Sequence, residues 1–284
     1  MSFLRRALGG RPEKGEEAGA PTEAPVAAQP AAAVQGLIAV RAPSDKAALR
    51  GEPSYVWRAG QERRLQMVLR AAPMLRGGRV LEHGCGVGLY VQHLREHAKS
   101  VHGFDFELAR VKEAAALVGP ELLVAAAAEE LPYADKSFDV LLSNEVIEHV
   151  ADDRRTAAEM ARVLRPGGRI VIFCPNRWYP VEQHGVYWKG TYHFGNIPLV
   201  NYLPDRFRDR LAPHVRTYTL RSLRKVFAGL PLREVSHTRI FGGYDNIVRR
   251  WGRPGAVLRA TLHASEGTPF DLLGLSHLLV LERT

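Results

Sequence analysis

The sequence predicts an α/β protein: a doubly wound, mostly parallel seven-stranded sheet with an antiparallel last strand. Three observations carry that expectation. Short apolar runs alternate with amphipathic stretches of helical length, which implies parallel strands joined by crossover helices. The first apolar run ends in three glycines spaced by two, Gly84, Gly86 and Gly88, and the second ends in an acid, Asp105. Open parallel sheets bind ligands beyond the carboxyl ends of their strands, where both features fall.

Taken in order, Tyr55 to Ala72 reads as a helix, Arg79 to Glu82 as a strand, Tyr90 to His97 as a helix, Ser100 to Asp105 as a strand and Leu108 to Val118 as a helix. Glu121 to Ala126 and Phe138 to Ser143 follow as strands, then Asp152 to Leu164 as a helix. The turn Arg165-Pro166-Gly167-Gly168 leads into a strand from Arg169 to Cys174. Thr219 to Ala228 has a threonine cap and helical apolar spacing. Leu232 to Phe241 and His277 to Arg283 are read as an antiparallel pair closing the sheet's edge, with a basic, partly helical insertion at 244–263.

Residues 1–45 stand apart. From Gly10 to Val34 the chain is Ala, Pro, Glu and Gly with almost no large apolar side chain, the composition of a disordered tail. The globular domain is therefore expected over 46–284. No stretch has the eighteen or so apolar residues of a membrane span. Two cysteines, Cys85 and Cys174, set in apolar segments, speak against a disulfide scaffold and for a reducing, cytoplasmic location. The formal charge of +9 is uneven: Arg154 to Ala260 holds 20 Lys and Arg against 6 Asp and Glu, a local +14, leaving about −5 elsewhere. That half either meets an anionic partner or is a solvated basic face.

The glycine stretch decides the ligand class. A phosphate-binding loop needs a lysine that does not follow, and a dinucleotide fingerprint places its third glycine one residue later than Gly88. A tight turn flanked by the carboxylates of Glu82 and Asp105 suits a nucleoside without phosphate, with the acid accepting from ribose hydroxyls. With "VLEHGCGVG", "VHGFDFE", "EELPYADKSFDVLLSNEVIEHV" and "RVLRPGGRIVIFCPN" in that order, the chain resembles the class I S-adenosylmethionine-dependent methyltransferases, type 11 methyltransferase-domain family, most strongly over Arg79 to Asn176.

The resemblance implies a Rossmann-like methyltransferase fold and S-adenosylmethionine as cofactor. It places Gly84, Cys85 and Gly86 along the methionine moiety with Gly88 closing the turn, Glu82 ordering the loop, Asp105 on the ribose, Phe106 flanking the adenine and Asn144 at the end of the fourth strand. The family's usual adenine-binding Asp is replaced by Ala127, so the Ala128 backbone or the Glu129 carboxylate is expected to substitute.

On a helix, Glu145, Glu148 and His149 would share one face and suit a divalent metal. The triplet is similar to the metal motif of ubiquinone-pathway and small-RNA methyltransferases, and equally to type 11 proteins with no metal. Glu145, His149, His184 and His193 are the candidate bases, because methyl transfer to a hydroxyl needs a proton acceptor. The segment 176–218, crowded with aromatic residues, reads as a substrate lid. The expected acceptor is a small molecule, glycan or lipid-linked intermediate, methylated at O, C or N. RNA ribose methylation and a catalytically silent adenosine-ligand scaffold are the alternatives.

Overall fold

A computed structural model describes residues 55–284; the expected tail at 1–45 lies outside the described residues. The seven-stranded sheet forms as expected. In chain order its strands are β1 (Arg79–His83), β2 (Ser100–Asp105), β3 (Leu123–Ala125), β4 (Phe138–Asn144), β5 (Leu164–Pro175), and the two last strands, β10 (Leu232–Ile240) and β11 (Ser276–Arg283). Their spatial order is β10-β11-β5-β4-β1-β2-β3. The pairs β1–β2, β1–β4, β2–β3 and β4–β5 are parallel, while β11 runs antiparallel to both β5 and β10. The last strand is therefore inserted one place in from the edge, and β10 forms the edge itself.

Helices cover both faces: α1 (Ala59–Ala71), α2 (Leu89–Leu94), α3 (Leu108–Val118), α4 (Asp153–Val163) and α6 (Leu220–Val226). Because both faces are covered, the middle of β5 is a continuous apolar run, with Ile170 to Cys174 all buried. One core layer packs Leu81, Phe138, Met160, Ile172 and Leu223 on one side of the sheet. The other packs Val68, Val91, Leu142, Phe173 and Val280. Helix α4 starts where Asp152 accepts from the amides of Arg154 and Arg155, and α6 where Thr219 accepts from that of Ser222. Such caps stabilise a helix start by about 1 kcal/mol each.

The segment after β5 contains four short strands, β6 (Val181–Glu182), β7 (Val186–Trp188), β8 (Thr191–His193) and β9 (Ile197–Pro198), and the helix α5 (Asp205–Leu211). Strand β6 pairs with β9 and β7 with β8, both antiparallel. The insertion before β11 is a helical pair, α7 (Asp245–Trp251) and α8 (Arg253–Ala264). A Cβ on Gly255 would lie 2.7 Å from the Ile247 carbonyl, so only glycine permits this close crossing.

Both insertions sit at one edge of the sheet. The lid leaves from Pro175 and closes where Asn176 bridges Tyr218. The helical pair leaves from Ile240 and returns at Ser276, which face each other, and Ser276 in turn faces Pro175. This is the carboxyl edge of β1, β4 and β5.

One local expectation fails. Residues 145–149 form a turn instead of a helix, and Glu145 has φ 56°. The His149 amide donates to Val146 O in a tight turn, and the carbonyls that would carry a helix onward are taken up by donors from the 176–218 segment: Glu148 O accepts from the Arg216 amide at 3.0 Å and Ile147 O from the Tyr218 hydroxyl at 3.1 Å.

Candidate active site

The glycine loop is built by close approach. Gly84 has φ 74°, and a Cβ there would fall 2.5 Å from Val146 Cγ2 in the turn after β4. Only a bare backbone lets the β1 and β4 ends come this near. Asp105 is buried and holds the loop: one oxygen accepts from the Gly86 amide at 3.0 Å and the other from the Glu107 amide at 2.9 Å. It is not the N-cap of α3, which is Glu107. Glu82 is buried beneath the loop with Oε2 lacking a partner. Burial raises its pKa well above the usual range, the Val91 backbone opposes this, and the Asp105 charge adds to it. Such a carboxyl group awaits a donor or a cation. The arrangement therefore fits the cationic, hydroxyl-bearing nucleoside that the sequence implies.

Around that crevice, Gly88 has φ 86° and starts α2. Cys85 is buried, and burial raises its thiol pKa, so it lines the loop as an inert apolar group. Phe106 is 37% exposed, and Ala128 is buried. Glu129 is committed elsewhere: its Oε1 accepts from the amides of Ala151 and Asp152 at 2.7 and 3.1 Å. Of the two expected substitutes for the missing Asp at 127, Glu129 is thus engaged before α4 and the Ala128 backbone remains.

Beyond the β4 end lies a cavity of about 170 Å³ lined by Arg64, Glu145, Asn176, Glu182, His184 and Thr217 among others. Arg64, from α1, reaches Asn144 Oδ1 at 2.6 Å and Glu145 Oε1 at 2.8 Å, and its guanidinium lies 4.9 Å from the Phe173 ring centre. Burial would raise the Glu145 pKa, but the Arg64 charge, then His184 and the Ser276 hydroxyl, lower it on balance. Glu148 goes the other way. Burial and the Glu145 charge raise it well above the usual range, and neither of its oxygens has a hydrogen-bond partner. The pair is thus split, with Glu145 biased toward its ionised form by Arg64 and Glu148 toward its protonated form by burial and the neighbouring charge.

The segment after β5 supplies the opposite wall. Glu182 Oε1 lies 3.0 Å from His184 Nδ1, and Oε2 accepts from Arg208 at 3.1 Å. The His184 carbonyl is 3.0 Å from His214 Nε2 and accepts from the Tyr192 hydroxyl at 2.6 Å. His149 stacks edge-on at 5.3 Å from the His184 ring, and its Nδ1 is 3.3 Å from the His214 carbonyl. Burial lowers the His149 pKa to about 3, so it is neutral. Glu148, His149 and His184 each offer one ligand atom, all within 4.8 Å of one another.

The structure thus brings together Glu82, Gly84, Gly86 and Asp105 at the glycine loop; Glu145 and His184 line the cavity, Glu148 and His149 are grouped with His184, and Asn144 is held by Arg64. The three ligand atoms grouped for a cation come from Glu148, His149 and His184; Glu145 turns toward Arg64 and Ser276. His193 is exposed at the end of β8 and does not line the cavity. Sequence reasoning missed Arg64, Arg208 and His214. Arg64 left a trace: it occupies the stripe of α1 that also presents Val68, a charged residue on a buried face.

Residues 81–172 match the family model described as a methyltransferase domain. The chain is 37% identical over 108 residues to a protein of Mycolicibacterium smegmatis named "probable S-adenosylmethionine-dependent methyltransferase", covering 38% of this chain and 42% of that one. It is 32% identical over 142 residues to a ubiquinone biosynthesis O-methyltransferase of Mesorhizobium japonicum, covering 45% of this chain and 57% of the relative. The chain spans about two fifths to a half of the length of curated relatives it matches. In fold it is similar to an S-adenosylmethionine-dependent methyltransferase from Mesorhizobium loti, with TM-score 0.55 and 22% identity over 77% of this chain and 96% of that one. Among the described residues no helix is long and apolar enough to cross a membrane. Residues 81–172 are therefore a methyltransferase domain similar in sequence to S-adenosylmethionine-dependent methyltransferases, carried on a sheet with the fold of such an enzyme.

Proposed function

We propose that the chain methylates a hydroxyl group on a small-molecule, glycan or lipid-linked acceptor, with oxygen favoured over nitrogen or carbon. The observation that carries this reading is a cavity lined by Arg64 and Glu145 just past the β4 end, where Arg64 also holds Asn144 Oδ1 and the turn after β4 packs on Gly84 through Val146. When bound, the sulfonium supplies the methyl group. The chain's own residues then do three things. Glu82, Asp105 and the glycine loop hold the nucleoside, the Arg64 and Glu145 pair fixes the junction, and the lid aligns the acceptor in line, which supplies most of the rate in a displacement of this kind.

The acceptor's proton needs a destination. The Glu148, His149 and His184 group would hold a divalent cation, which would lower the pKa of the acceptor hydroxyl enough for its proton to pass to solvent water. Glu148's lack of any hydrogen-bond partner and the neutral state of His149 favour this over a purely structural role.

Calorimetry with the donor, followed by mass spectrometry of acceptor pools incubated with isotopically labelled donor, tests the reading. Donor binding and a labelled small product are expected. Donor binding with no product across a broad panel would favour a silent scaffold, and label in RNA would favour ribose methylation. Elemental analysis of the purified protein tests the cation: a stoichiometric divalent metal that Glu148→Gln removes is expected, and absence of metal at saturating Mg²⁺, Mn²⁺ and Zn²⁺ retires that part.

A further inference from the structure

The cavity is small. At about 170 Å³ it accommodates a reactive group, whereas sites that enclose a whole drug-sized ligand measure about 300–1,000 Å³. The body of an acceptor must then lie outside it, against the two insertions that crown the carboxyl edge of the sheet. These insertions meet around the cavity mouth. Asn176 donates to the carbonyls of Leu272 and Gly274 at 2.8 and 2.7 Å, and Leu275 lines the cavity wall.

Their outer surface is unusual for a protein exposed only to water. Trp188 at the tip of the β7–β8 hairpin is 59% exposed, Phe194 just beyond it 70%, and Leu199 60%. On the helical pair, Trp251 is 56% exposed, Val257 66%, and Phe270 in the turn before β11 80%. On α8 the exposed residues Pro254, Val257, Leu258 and Thr261 follow helical spacing, and the buried Gly255 faces α7. Most of the large exposed apolar side chains among the described residues belong to these two segments, and grouped exposure of this kind marks an interaction surface.

Cations are interleaved with them. Lys189, Arg206, Arg210, Arg249, Arg250 and Arg253 are all exposed, and none forms an ion pair with a carboxylate among the described residues. The acids nearby are largely engaged. Asp205 is held by Arg177 at 2.8 Å, Asp245 by Arg259 at 3.2 Å, and Asp209 lies 3.5 Å from Arg208. Exposed tryptophan and phenylalanine beside unpaired Lys and Arg is the composition that seats at the boundary between headgroups and acyl chains. A nucleic-acid groove would keep the cations and have little use for Leu199, Val257 and Phe270.

We infer that the face formed by the lid hairpin and the α7–α8 pair docks onto an anionic lipid bilayer, so that the cavity mouth opens at the membrane surface. The substrate corollary rests on the methyl-transfer reading above: the acceptor is an amphiphile whose apolar part stays in the bilayer while its polar end enters between Arg64 and His184.

Cosedimentation of the full chain with vesicles of phosphatidylcholine, alone or mixed with phosphatidylglycerol, tests the docking. Binding to the anionic vesicles is expected, weakened by added salt, together with a blue shift of tryptophan fluorescence that Trp188→Ala and Trp251→Ala diminish. The triple variant Arg249→Gln, Arg250→Gln, Arg253→Gln should lose affinity about a hundredfold, since each cation near an anionic surface contributes about fivefold. Donor binding measured on the same variants should be unchanged, which separates failure of docking from failure of the methyl-transfer reading. No binding to anionic vesicles at low salt overturns the inference. So does binding that none of these substitutions alters, which would assign it to another part of the chain. Salt-sensitive RNA binding without vesicle binding, or a dimer that buries Trp188 or Trp251, also overturns it.

Discussion

Glu182 and Arg208 form a salt bridge at 3.1 Å with both side chains almost wholly buried, 1% and 2% exposed. A buried pair is weak evidence for net stability, because two desolvation costs oppose the attraction. Here it does something more specific. The second Glu182 oxygen meets His184, so the pair fixes the histidine that faces Glu148 and His149. Removing one partner strands the other. Arg208→Met is expected to destabilise the fold by about 3–5 kcal/mol, whereas Glu182→Gln, which keeps one acceptor, should cost less. Urea unfolding of the two variants checks the order; equal and small losses would show that the lid is not tied down by this pair.

The donor crevice makes a sharper prediction. Gly84→Ala combines a positive φ with a contact of 2.5 Å to Val146, and should abolish donor binding. Adding Val146→Ala removes the steric part and leaves the backbone part, about 1–2 kcal/mol. Partial recovery in the double variant is therefore expected in calorimetry. Asp105→Ala should weaken the donor or its demethylated product by about 1–3 kcal/mol, the cost of unpairing buried polar groups. Unaltered affinity would remove Asp105 from the site.

What the sequence revealed follows from how local each signal is. The strands and the glycine loop were legible because apolar runs and bare turns are written in consecutive residues; β2 and α3 match their expected limits at Ser100–Asp105 and Leu108–Val118. The turn at 145–149 was misread as a helix because its spacing is helical, while the reason it is not, bonds from Arg216 and Tyr218, comes from about seventy residues away. Arg64, Arg208 and His214 were invisible for the same cause: their partners are made by tertiary contact. Replacement of Glu145 by His184 in the cation group likewise depends on where the lid folds back. Glu129 was plausible by position alone, and its carboxylate turned out to serve the amides before α4.

The junction residue Arg64 yields a prediction in pH. Its charge is the largest influence lowering the Glu145 pKa against burial. With the cation gone, in Arg64→Leu, Glu145 should take up a proton at a higher pH. The acidic limb of the donor-binding profile should then move upward, with affinity at neutral pH falling about tenfold or more, as expected for a lost hydrogen bond to a charged group. Arg64→Lys should rescue only part, because a point charge cannot span Asn144 Oδ1 and Glu145 Oε1 as the guanidinium fork does. A profile that does not shift in Arg64→Leu would place Glu145 outside the binding equilibrium.

Buried histidines set the acid stability of the core. His83 lies in β1 with no exposed surface, its Nδ1 3.3 Å from the Ser143 hydroxyl and its Nε2 without a partner. Burial lowers its pKa from 6.5 to about 3. His277 in β11 is held between His237 at 2.8 Å and the Tyr218 carbonyl at 2.8 Å, and burial lowers its pKa to about 4. Both are neutral in the folded chain and become charged on unfolding once the pH drops below 6.5. The sign follows: their contribution is fully present above pH 6.5 and is lost as pH falls toward about 4 for His277 and about 3 for His83. Between pH 7 and pH 5 each should cost up to about 2 kcal/mol, well before the Glu182 carboxylate, whose pKa is lowered to about 2, begins to protonate. Urea midpoints measured across that range should fall steadily, and His83→Gln should flatten the slope by roughly half. A midpoint constant from pH 7 to pH 5 would mean that water or local opening already admits the proton to these rings.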